Sequence, residues 1–209
     1  MSDQKDLCTK TCTSEYPVRV ACVGDSITYG SGIADRDHDS YPAQLGRKLG
    51  EGWEVRNFGV GGTTALRRGD FPYSREAAYA EALAWQPQVV VIALGTNDTK
   101  PQNWVFADSF ARDLESLADA FLEVNPAAEV YLCLPVPAFP GEWGIRDDVV
   151  REEVVPQIRQ LAARRCLPTI DLYSALSGHP ELFPDTVHPS AEGAGWIAAE
   201  VHRALTCGE

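Results

Sequence analysis

Val89-Val90-Val91-Ile92-Ala93-Leu94 runs directly into Gly95-Thr96-Asn97-Asp98. Six apolar residues in succession, closed by a glycine, have the pattern of a strand covered on both faces in a parallel sheet. Four more segments carry strand character: Val18 to Val23, broken by Gly24; Trp53 to Phe58; Val130 to Leu134; and Thr169 to Leu172. The segments between them have helical period. Phe106, Phe110, Leu114, Leu117, Phe121 and Val124 share one helix face until Asn125 and Pro126 stop it. Ile197, Val201 and Leu205 mark a last helix, with Ser190 as N-cap and Glu192 in the first turn, where the helix dipole favours an anion. Pro156 kinks or divides the helix from about Val149 to Arg165. Strand and helix in alternation require right-handed crossovers, which produce a parallel sheet with helices on both faces. The expectation is a three-layer α/β/α sandwich on a central five-stranded parallel sheet; if its order is 2-1-3-4-5, the end of the third strand lies beside the first. A polar tail, 1–16, precedes a single domain, 17–209.

The chain has 209 residues, 44% hydrophobic and 23% charged, which suits one globular domain. Its formal net charge of -12 opposes affinity for nucleic-acid backbones and anionic membranes. No apolar run approaches the roughly 18 residues of a membrane span, and the start lacks the apolar core of a signal peptide. A soluble, cytoplasmic protein is the default expectation, or a secreted or periplasmic one if an export signal has been removed. Of six cysteines, Cys22 and Cys133 lie in apolar strand-like runs and read as buried free thiols, while Cys166 and Cys207 stand alone. Cys8 and Cys12 in the polar tail suit a disulfide or half a metal site, but no second Cys/His pair has ligand spacing, so no metal is expected.

In a sheet of this kind ligands bind beyond the carboxyl ends of the strands, and four short segments fall there. Gly24-Asp25-Ser26-Ile27-Thr28 puts a serine on a tight turn after the first strand, though Asp and Ser are also common turn residues. Asn57-Phe58-Gly59-Val60-Gly61-Gly62-Thr63-Thr64 follows the second, with glycines that free backbone N–H groups for an oxyanion or a phosphate, or simply make a turn. Asn97, after the third, can donate two uncharged N–H bonds to a developing alkoxide, or can cap the next helix. Asp185-Thr186-Val187-His188-Pro189 precedes the last helix. Pro189 favours an extended His188, and the three-residue separation lets the Asp185 carboxylate reach Nδ1, leaving Nε2 to take a proton from a serine. His38, His179 and His202 lack this arrangement, His179 preceding a proline with no acid assigned to it. Neither a Walker lysine motif nor a dinucleotide fingerprint is present.

In this order the four segments resemble the motif blocks of the GDSL, or SGNH, hydrolase family, over about Val18 to Leu205. The resemblance implies a flavodoxin-like sandwich and a serine hydrolase acting on ester bonds without a cofactor. Ser26 would be the nucleophile, His188 the general base and then acid, and Asp185 its orienter. The oxyanion hole would consist of the Ser26 and Gly62 backbone N–H groups and the Asn97 side chain, with Gly61 as the alternative backbone donor. Within the family the substrates include acetyl sugars, lysophospholipids and acyl thioesters.

Gly95 to Trp104, with Lys100, Asn103 and Trp104, and Trp143-Gly144-Ile145-Arg146 look like the loops of bacterial carbohydrate O-acetylesterases. A short-chain, acetyl ester of a carbohydrate is therefore the expected substrate. Asp25, Trp104 and Trp143 are the expected substrate contacts, although either tryptophan suits a core equally well. The rival expectations are a lysophospholipase or thioesterase of the same family and a non-catalytic glycan-binding module.

Overall fold

The computed structural model describes residues 16–207. The polar tail, with Cys8 and Cys12, lies outside the described residues but for Tyr16. Five parallel strands, β1 (Val18–Gly24), β2 (Trp53–Gly59), β3 (Val89–Ala93), β4 (Glu129–Leu134) and β5 (Thr169–Asp171), form one sheet in the order β2-β1-β3-β4-β5.

Alternation along each strand divides the core between the two faces of the sheet. Ala21, Val23, Val90, Ile92, Val130 and Leu132 meet the helices Ala77–Ala84, Phe110–Val124 and Val155–Arg165. Val20, Cys22, Val89, Val91, Tyr131 and Cys133 meet Tyr41–Leu49 and Ala191–Cys207 through Tyr41, Leu45, Ile197 and Val201. Cys22 and Cys133 are free and buried, and burial pushes the Cys22 thiol up to about 12.

Two boundaries differ from the expectation for local reasons. β5 stops at Asp171, whose carboxylate accepts from Ser174 N–H and so caps a helix beginning at Leu172. Phe106 precedes its helix, which begins at Phe110 after a 3-10 turn. The helix around Pro156 is divided as expected: a π-helical turn, Val150–Val154, separates Asp147–Val149 from Val155–Arg165 and widens the backbone where a proline ring otherwise crowds the carbonyl four residues back.

Candidate active site

The chain leaves β1 at Gly24, turns at Asp25 and enters the one-turn helix Ser26–Tyr29. Asp25 Oδ1 accepts from the Ile27 N–H at 2.9 Å, capping the helix and directing Ser26 onto the sheet edge. The neighbouring strand braces the other end. Asn57 Nδ2 donates to the carbonyls of Thr28 at 2.9 Å and Tyr29 at 3.3 Å, while its Oδ1 accepts from Gly59 N–H. Gly59 must lack a side chain, because a Cβ there would lie 2.2 Å from the Tyr29 nitrogen.

His188, from the loop before the last helix, brings Nε2 to 2.9 Å from Ser26 Oγ. Its Nδ1 lies 2.6 Å from Asp185 Oδ2. Asp185 Oδ1 accepts from the Val187 and His188 N–H groups at 3.1 and 2.7 Å, so the carboxylate is fixed by its own loop. Partial burial alone would raise the Asp185 carboxyl, but bonds from the His188 ring and the two backbone N–H groups outweigh it and hold it below the usual carboxylate range. Between them Thr186 takes a left-handed φ of 77°, costly for a β-branched residue, and this turn folds Asp185 back onto His188.

Asn97 Nδ2 donates to Thr63 O at 3.1 Å and faces Asp25 Oδ2 at 3.4 Å, so two acceptors determine which end of the amide faces them. Asp98 clamps the glycine loop: its two oxygens accept from Ala65 N–H at 3.1 Å and Leu66 N–H at 2.8 Å. Asn103 ties Asp70 to the Asn97 carbonyl. Gly62 has a φ of 81°, which favours glycine, and among the described residues the Gly61 and Gly62 N–H groups have no protein acceptor. Asp25 and Asp98 are fully buried, and burial pushes their carboxyls up to about 6 and about 7, partly offset by the backbone N–H groups each accepts.

These groups border a cleft of about 460 Å³ lined by Ser26, Ser31, Gly32, Gly61, Gly62, Asn97, Lys100, Trp143, Ile145, Asp185, Val187 and His188. A larger cleft of about 680 Å³ meets it at Ile145 and contains none of the Ser26, Asp185 and His188 set.

The structure brings Ser26, Asp185, His188, Asn97 and Gly62 together, as expected from the sequence, and places Trp143 beside them. Trp143 is half exposed, donates through Nε1 to the Asp185 carbonyl at 3.0 Å and stands edge-on to the His188 ring at 5.0 Å. Two expected contacts are corrected. Asp25 is 1% exposed and supports the serine turn from beneath, out of reach of a substrate. Trp104 is 8% exposed, packs on Phe110 and donates to Glu153 Oε2 at 2.8 Å, so it belongs to the core and not to the rim. Asn103 is likewise buried and structural. His179 does have an acid, Glu181 Oε1 at 2.9 Å, and its ring packs at a tilt of 58° against Trp196, away from the cleft. Ser31, Gly32 and Val187 went unnoticed as lining residues; adjacency to the serine and histidine motifs was their one available signal. Among the described residues no group of three or more His, Cys, Asp or Glu side chains is arranged to hold a metal ion, and no helix is long and apolar enough to cross a membrane.

An α/β/α sandwich here joins serine, histidine and aspartate by hydrogen bonds at the carboxyl edge of its sheet. A model of the GDSL-like lipase/acylhydrolase family matches residues 22–196, and the chain belongs to that family. An acetylxylan esterase of Xylanibacter ruminicola is 40% identical over 91% of the chain; the match takes in 44% of that protein, so the chain spans under half its length. A carbohydrate acetylesterase of Sinorhizobium meliloti superposes with a TM-score of 0.77 at 20% identity, covering 91% of this chain and 99% of that one. The aryl esterase of M. smegmatis gives 0.70 at 20% identity, covering 90% and 98%. Both structures share the fold.

Proposed function

We propose that this chain hydrolyses short acyl esters, acetyl above all, carried on a carbohydrate, with Ser26 as nucleophile. Ser26 Oγ attacks the ester carbonyl while His188 Nε2 accepts its proton, and Asp185 holds the ring in the tautomer that leaves Nε2 free. The tetrahedral oxyanion is met by the Ser26 and Gly62 N–H groups and by the Asn97 amide, whose longer contact to Asp25 is the one that yields. The sugar hydroxyl leaves with the proton returned by His188. Water, activated by the same nitrogen, then releases acetate from the acyl-serine.

The observation that carries this reading is the relay Asp185–His188–Ser26, with steps of 2.6 and 2.9 Å. The relative that acts on acetylxylan supports both the acetyl group and the carbohydrate.

The test is a p-nitrophenyl ester series from acetyl to palmitoyl run beside acetylated xylan, with Ser26→Ala as control. Rates should be greatest at acetyl, acetate should be released from the polysaccharide, and folded Ser26→Ala should lose nearly all turnover. A maximum at octanoyl or longer with no acetate from xylan overturns the substrate; substantial turnover by folded Ser26→Ala overturns the mechanism.

A further inference from the structure

One charged side chain of the cleft has no part in the chemistry above. Lys100 lines it together with Ser26, Asn97, Trp143 and His188. Its backbone is held from both sides: the N–H donates to Asn97 O at 3.3 Å, and the carbonyl accepts from Asn103 and Trp104 N–H at 2.9 Å each. The half-buried stem runs beside the Trp143 loop, where a Cβ on Gly144 would lie 3.9 Å from Lys100 Cγ. Among the described residues the ammonium has neither a hydrogen-bond nor an ion-pair partner. Asp185 shares the cleft, but its oxygens are already taken by His188 and two backbone N–H groups. Two further acids feel its charge without bonding it: Asp25, buried beneath the floor, and Asp70, whose oxygens accept from Gln102 and Asn103.

An unpaired cation on a fixed backbone, beside the nucleophile, is suited to an anion brought by the substrate. A charge-assisted bond is about twice as strong as a neutral one, and holding the backbone in advance reduces the ordering cost of binding. The chain as a whole carries a formal charge of -12, so an anionic substrate needs a local cation to be accepted at all. We propose that Lys100 selects esters whose sugar carries a carboxylate near the acyl group. This rests on the reading of the chain as a carbohydrate esterase and names the substrate class within it.

The experiment compares an acetylated methyl glucuronoside with the acetylated methyl glucoside bearing its acetyl at the same position. Wild type, Lys100→Gln and Lys100→Arg are each assayed. In Lys100→Gln the ratio of kcat/KM, acidic over neutral, should fall about tenfold or more, mainly through KM. Lys100→Arg should recover most of that ratio, and raising the ionic strength from about 0.01 to about 1 M should erode it in wild type and Lys100→Arg but not in Lys100→Gln. An unchanged ratio overturns the proposal. So does an equal loss of kcat on both esters, which would assign Lys100 to the oxyanion. If wild type cleaves p-nitrophenyl acetate but neither sugar ester, the carbohydrate reading fails, and Lys100 is judged by inhibition of that reaction. Methyl glucuronoside should then inhibit about tenfold more strongly than methyl glucoside in wild type and not in Lys100→Gln; equal inhibition in wild type overturns the proposal.

Discussion

Asn97 shows how a single amide is prepared for one task. Thr63 O and Asp25 Oδ2 are both acceptors, so only the Nδ2 end can face them, and the side chain is turned before any substrate arrives. In the proposed reaction a donor held in place in this way acts on the developing oxyanion more than on the ground-state ester. Asn97→Ala should therefore lower kcat about 100-fold or more with a smaller change in KM. Steady-state kinetics on p-nitrophenyl acetate would show it; a change confined to KM would make Asn97 a ground-state contact instead.

At the scale of elements, the position of Ser26 depends on how closely β2 approaches the helix Ser26–Tyr29. Gly59 lies against backbone atoms, 2.2 Å from the Tyr29 nitrogen and 2.7 Å from the Thr28 carbonyl carbon for an added Cβ, and neither can move without moving Ser26. Gly46, within Tyr41–Leu49, offers the opposite case, since an added Cβ would meet only Val55 side-chain atoms at 3.6 and 3.7 Å. Gly59→Ala should cost on the order of 1–3 kcal/mol and most of the activity. Gly46→Ala should raise stability by about 0.5–1 kcal/mol and leave kcat/KM unchanged. Urea unfolding and an ester assay on both variants check the pair; equal effects would mean that the brace on the serine helix is not the controlling contact.

Across the whole molecule the acidic groups fall into two sets with opposite pH behaviour. Asp25 and Asp98, raised to about 6 and about 7 from an ordinary 3.8, bind protons more readily folded than unfolded. Their stabilising share is full below about pH 4 and is lost as the pH rises through 6 and 7. Asp185, held low by His188 and its own loop against the upward pull of burial, contributes above its ordinary value and loses that share only as the pH falls below it. Stability from the buried pair should thus decline between pH 4 and pH 8, the Asp25 share being on the order of 3 kcal/mol. Asp25→Asn keeps an oxygen for Ile27 N–H and removes the titration, so its urea midpoint should vary less with pH over that interval than that of wild type. Parallel profiles would overturn the assignment.

Strand runs, the glycine-rich loop and the Asp185 to His188 spacing are local properties, governed by side-chain period, glycine conformation and the reach of a carboxylate over three residues. That is why the strands and the serine, histidine and aspartate set were legible in one dimension, whereas the order of the strands was a condition that the tertiary structure met. Trp104 and Trp143 were not distinguishable there, because each is an aromatic residue in a polar segment. One was drawn into the core by Phe110 and Glu153, the other left standing over His188. Asp98 reads as a cap or turn residue and Asn103 as part of an esterase-like loop, but burial requires partners for both, and those partners, Ala65, Leu66 and Asp70, come from a separate segment. The sequence by itself determined the layers of the sandwich and the residue types at its catalytic edge. Only the tertiary structure decided which polar groups face the cleft and which are spent beneath it, since that depends on contacts such as Ser26 to His188, 162 residues apart.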